Sequence, residues 1–148
     1  RPVRMMTCAR AGAGQRPFRN KDDMAKNQLS LKVRIPPYQH PRNKWRRTIH
    51  AAVSRAARVR GVSYQPDDRL QLTIILYLDD AGLRFHDVDN RLKDIMDAMQ
   101  GRAGGPKTKR RPAAIIPNDH QVFRVSIEKM LPPRQSHGMG HLEIRKHK

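Results

Sequence analysis

The sequence predicts a single α/β domain, with a small mixed β-sheet and helices packed against it in the order β-α-β-α-β-β. Three observations carry this expectation. Two segments alternate apolar and polar residues with period 2, one short apolar run has the β-rich composition of an interior strand, and helical spacing recurs twice between them. At 148 residues the chain has the length of one ordinary domain.

The first 28 residues are rich in Arg, Gly and Ala, with little apolar periodicity, so ordering them would be offset by little burial. Residues 1–28 read as a disordered basic arm, and 29–148 as the folded domain. "LSLKVRIPP" opens that domain: Leu29, Leu31, Val33 and Ile35 alternate with Ser30, Lys32 and Arg34 in a half-buried strand that Pro36-Pro37 ends. From Pro41 to Arg60, Trp45, Ile49, Ala52, Val53 and Ala56 recur at helical spacing, and Gly61 is the expected stop. "LQLTIILYL", residues 70–78, is nearly continuous and apolar, as in a strand buried on both faces; it runs into Asp79-Asp80 and a turn at Gly82.

A second helix is expected from Asn90, where Leu92, Ile95, Met96 and Met99 share a face, to Gly101. The segment "GRAGGPKTKRRPAA" then reads as a long basic loop. Phe123, Val125 and Ile127 alternate with Arg124, Ser126 and Glu128 in a third strand, and "HLEIRK" is expected to supply a fourth strand at a sheet edge. Met96, Met99 and the third strand carry apolar surface whose expected use is the core.

A balance of 31 Lys and Arg against 13 Asp and Glu gives a formal net charge of +18. That points to a polyanionic partner, nucleic acid above all, since cations gain free energy by displacing counterions from phosphates. No run approaches the roughly 18 apolar residues of a spanning helix, and no signal peptide opens the chain, so a soluble cytoplasmic protein without a membrane partner is expected. Cys8 is the only cysteine, which leaves no disulfide framework or Cys-based zinc site. Dinucleotide, P-loop and serine-hydrolase motifs are absent.

Against this basic background, "FHDVDNRLKDIMDAMQG" gathers Asp87, Asp89, Asp94 and Asp97. In an extended segment Asp87 and Asp89 project to one side and could face one ion. Lys93 lies a turn further, on the face of Asp89 and Asp97. Asp119, in "IIPNDHQ", would join them if the third strand pairs so as to bring its start to the mouth of this helix. Three carboxylates about 5 Å apart repel by roughly 3 kcal/mol per pair at an effective dielectric of about 20, which a divalent cation offsets and one Lys does not. Such a site in a basic protein suggests phosphodiester hydrolysis, with Asp87, Asp89 and Asp119 as Mg²⁺ ligands and Lys93 as electrostatic partner. The other reading is helix capping at Asp87 and Asp89, a surface ion pair at Lys93 and a turn residue at Asp119. Asp94 and Asp97 are ordinary helix-surface candidates.

The segments "HDVDNRLKDIMDAMQG", "PNDHQVFRVSIEK" and "GHLEIRK", together with the first strand and its double proline, resemble the RusA-type endodeoxyribonucleases, Holliday junction resolvases common in phages and prophages. The family pattern is DxDNxxK leading into a DAL-like helix with a Gly, then a DDxQ turn and a strand. The likeness spans roughly residues 29–146. It implies that Asp87 and Asp89 match the family's two metal-binding aspartates, Lys93 its catalytic-site lysine and Asp119 its third aspartate. It further implies a homodimer that binds branched DNA, a four-way junction, and makes paired Mg²⁺-dependent nicks. The family's DD turn is Asn118-Asp119 here, and the loop 102–112 is longer and more basic than the family pattern. The contrasting expectation is a non-catalytic basic nucleic-acid-binding protein whose acidic cluster only caps a helix.

Overall fold

The computed structural model describes residues 30–106 and 110–148. The expected basic arm, residues 1–28, lies outside them. The elements run β1 (Leu31–Ile35), α1 (Arg42–Arg60), β2 (Leu70–Tyr77), α2 (Asp80–Phe85), α3 (Val88–Met99), a 3₁₀ turn (Asp119–Gln121), β3 (Val122–Met130) and β4 (Gly140–Lys146). This is a mixed α/β domain with one four-stranded sheet in the order β1-β4-β2-β3.

β4 pairs antiparallel with both β1 and β2, whereas β3 runs parallel to β2. The C-terminal strand is therefore interior, which corrects the expectation that it lies at an edge. Alternation reveals that a segment is a strand and which side is apolar; it carries no information on neighbours. Leu142 and Ile144, buried between Val33 and Leu31 on one side and Ile74 and Leu72 on the other, hold β4 in the middle.

One face of the sheet is covered. Leu31 and Ile35 of β1, Leu72, Ile74 and Leu76 of β2, and Leu142 and Ile144 of β4 bury in a single core with Trp45, Ile49 and Val53 of α1 and Ile95, Ala98 and Met99 of α3. Trp45 is anchored by its indole N–H, which donates to the Pro36 carbonyl at 2.9 Å. α1 ends at Gly61, whose left-handed φ of 65° lets its N–H turn back to the carbonyls of Ala57 and Arg58. The other face, with Lys32, Arg34, Gln71, Thr73, Glu143 and Arg145, has no helix over it and is half-buried to exposed. β2 is accordingly buried on one face and half-buried on the other, not sealed on both.

Two further features differ from expectation. Where Gly82 suggested only a turn, α2 forms, because the Asp79 carboxylate accepts the Gly82 N–H at 2.7 Å and caps it. The β2–β3 register also shifts between Leu70 and Gln71, whose partners are Val122 and Arg124. Phe123 is thrown out of the ladder by this bulge and lies 54% exposed.

Candidate functional site

Asp87 is the N-terminal cap position of α3, in extended geometry, yet its side chain makes no capping hydrogen bond. It instead accepts a 3.3 Å contact from the Asn90 amide nitrogen. Asp89 sits in the first helical turn, and Asp87, Asp89, Asn90 and Lys93 are all exposed. Among the described residues neither Asp89 nor Lys93 has an ion-pair partner within 4 Å; Asp97 pairs with Arg46 instead, at 3.2 Å. The capping and surface-pair roles that the sequence allowed for these side chains are thus unfilled. An acidic pair at a helix head, near the positive end of the macrodipole, keeps its negative charge at low cost.

Asp119 is placed elsewhere. Gln121 is buried and clasps the turn: its side-chain oxygen accepts from the Asn118 N–H at 3.0 Å, while its amide nitrogen donates to the carbonyls of Gln65 and Asp68 at 2.9 and 3.1 Å. This fixes Asp119 beside the start of β2, where Leu70 pairs with Val122. Asp87 belongs to the other end. Lys129, near the end of β3, donates to the carbonyls of Leu83 and His86 at 2.6 and 2.8 Å. The parallel pairing of β2 and β3 separates the two positions by seven strand residues, roughly 23 Å of chain. Asp119 lies towards the C-terminal end of α3, where the N–H groups of Ile115 and Ile116 bond to the Met99 carbonyl.

The convergence expected of Asp87, Asp89 and Asp119 therefore does not occur within one chain. Among the described residues no group of three His, Cys, Asp or Glu side chains could hold a metal ion. The carboxylates suit a hard cation such as Mg²⁺ in chemistry but not in placement, so the residues of a single chain do not fit the three-carboxylate site.

Asp94 has a different role from the surface position expected of it. It is fully buried, and its Oδ1 accepts from Arg42 at 2.9 Å and from Arg46 at 2.9 and 2.7 Å. Arg91 approaches Oδ2 at 3.5 Å. This cluster joins α3 to α1 and so fixes the helix that carries Asp87, Asp89 and Lys93.

Beside the acidic pair is an aromatic and cationic patch that sequence reading missed. The Tyr38 ring lies 4.7 Å from His86, 5.3 Å from His40 and 5.1 Å from Trp45, and the Arg91 guanidinium stacks 3.8 Å above it. His86 is held below its ordinary pKa, first by desolvation and then by Arg91, His40 and Lys129, against an opposing effect of Asp79. Only Tyr38 directly after Pro36-Pro37 hinted at it, since no periodicity links residues 38, 86 and 91.

A basic cleft of about 980 Å³ lies between α1 and the segments flanking residues 107–109, lined by Arg46, Arg47, Arg102, Arg110 and Arg111. Gly101, at φ 74°, permits this fold-back, because a Cβ there would collide with the Pro112 carbonyl. No helix among the described residues is long and apolar enough to cross a membrane. No protein-family model matches the chain, and no curated protein matches it.

Proposed function

We propose that this protein is a structure-selective endodeoxyribonuclease that resolves four-way DNA junctions by paired, Mg²⁺-dependent phosphodiester hydrolysis, in a bacterial or phage-infected cytoplasm. The observation that carries the reading is the condition of Asp87, Asp89 and Lys93: exposed at one helix head, with none of the caps or ion pairs that would otherwise occupy them. The motif order that resembles the RusA-type enzymes supports it, as do the net charge of +18 and the arginine-lined cleft.

In this reading Asp87 and Asp89 gather the cation, Lys93 offsets charge growing on the phosphate oxygens, and Arg102, Arg110 and Arg111 hold the DNA backbone. Asn90, hydrogen-bonded to Asp87, orients that carboxylate. The position of Asp119 favours a second reading, a basic nucleic-acid-binding protein without turnover, because one chain lacks the third carboxylate beside the pair.

A labelled four-way junction incubated with Mg²⁺ separates the two. Nicking at symmetric positions, lost in Asp89→Asn while junction binding persists, supports the nuclease. Binding without cleavage, unchanged by Asp89→Asn, establishes the alternative.

A further inference from the structure

The sheet has two edge strands, and only one is protected. β1 is five residues long and ends at Pro36-Pro37. β3 is nine residues long with no proline, and Phe123, Arg124, Val125 and Ser126 are exposed in succession, so both of its faces are open. Val125, 38% exposed, faces the helix side with half-buried Ile127, and Leu92 and Met96 of α3 are also half-buried apolar residues at the core's margin. A long, apolar, unprotected edge is a template for pairing with another strand.

β3 is complementary to itself. In an antiparallel pair with a second copy, centred on Ser126, Arg124 stands opposite the partner's Glu128, and Glu128 opposite the partner's Arg124. Both pairs lie on the open face, while Val125 meets the partner's Ile127 on the helix face. Displacing the two-fold by one residue either way leaves no Arg opposite a Glu. Directly opposed ion pairs and apolar pairs are the units that fix register between strands.

We propose that two copies of this chain join through β3 about a two-fold at Ser126, forming an eight-stranded sheet with both helical layers on one side, and that the pairing completes the acidic site. Antiparallel pairing sets the start of one β3 beside the end of the other. The end of β3 is where Lys129 holds the His86 carbonyl, one residue before Asp87. The partner's Asp119, just ahead of its β3, thus arrives at the end of the sheet that carries Asp87, Asp89 and Lys93. Each site then draws its third carboxylate from the other chain, which accounts for the failure of the three to converge in one. The pairing stands on β3 alone; the shared site rests on the nuclease reading.

The pairing is tested by light-scattering mass on the full chain of 17.1 kDa. The wild type is expected at twice the chain mass. Arg124→Glu or Glu128→Arg should each raise the dimer dissociation constant roughly tenfold or more, and the double reversal should restore it. A monomeric wild type, or single reversals without effect, or a double variant no better than either single, overturns the pairing. The shared site is tested by mixing Asp89→Asn with Asp119→Asn chains, each inactive alone. A shared site predicts recovered single nicks, because one of the two sites in a mixed dimer is intact. Wild-type cleavage without recovery in the mixture overturns the shared site. Absence of wild-type cleavage overturns the nuclease reading and the shared site together, with the pairing judged on mass.

Discussion

Helix α3 carries the same residue type in two opposite conditions. Asp94 has no exposed surface and is saturated by guanidinium groups from Arg42 and Arg46, with Arg91 alongside. Asp87 and Asp89, less than two turns away, are exposed, and the Asn90 amide is the one side-chain partner of either among the described residues. A carboxylate removed from water must be neutralised within the fold, whereas one left in water at a helix head retains its capacity for a ligand. The difference separates the acid that holds α3 in place from the acids that α3 presents.

The largest effect should come from breaking the buried member. Asp94→Ala leaves guanidinium charge uncompensated between α1 and α3, and a loss of about 3–5 kcal/mol is expected in urea unfolding monitored by circular dichroism. The exposed members should behave conversely. Asp89→Asn is expected to change stability by no more than ~0.5 kcal/mol while abolishing junction cleavage. Lys93→Met should likewise leave the unfolding midpoint in place and reduce the cleavage rate by roughly 10²-fold, read under single turnover. Between the extremes, Arg42 is half-exposed, so Arg42→Ala should cost only about 1 kcal/mol, since solvent screens its share of the Asp94 cluster.

The smallest effect concerns His86, which touches both environments through Tyr38 and Arg91. Its folded pKa lies below the ordinary 6.5, so below pH 6.5 the unfolded chain binds the proton more readily. Its contribution to stability is therefore complete above pH 6.5 and declines as the pH falls from there towards the lower folded value. His86→Gln should flatten this part of the thermal-stability profile, leaving the share due to His141, which is lowered by burial and by Arg34.

The contrast also shows what the sequence could disclose. Trp45, Ile49 and Val53 announced the buried stripe of α1, and Ile95 and Met99 that of α3, because burial against a sheet imposes helical periodicity. Asp94 falls on the inward side of α3, but its partners lie about 50 positions earlier, and no local pattern links them. Strand order was hidden for the same reason: the alternation of β4 looks the same at an edge and in the centre. The proposed site was legible as a motif at Asp87, Asp89 and Lys93. The location of Asp119 depended on the direction in which β3 runs beside β2, a property of the whole topology.

The interior position of β4 sets an order of events on the chain. Leu31 finds its partner only at Ile144, and Leu72 shares that same residue from the other side. Until residues 140–146 arrive, β1 has no neighbour and the β2–β3 pair has a bare flank, so the hydrophobic halves of the domain must wait for its last strand. Such long-range closure makes for slow folding, with strand edges open to aggregation in the interval. A chain ending at Met139 would lose the seam that joins the two halves, not an outer strip of the sheet.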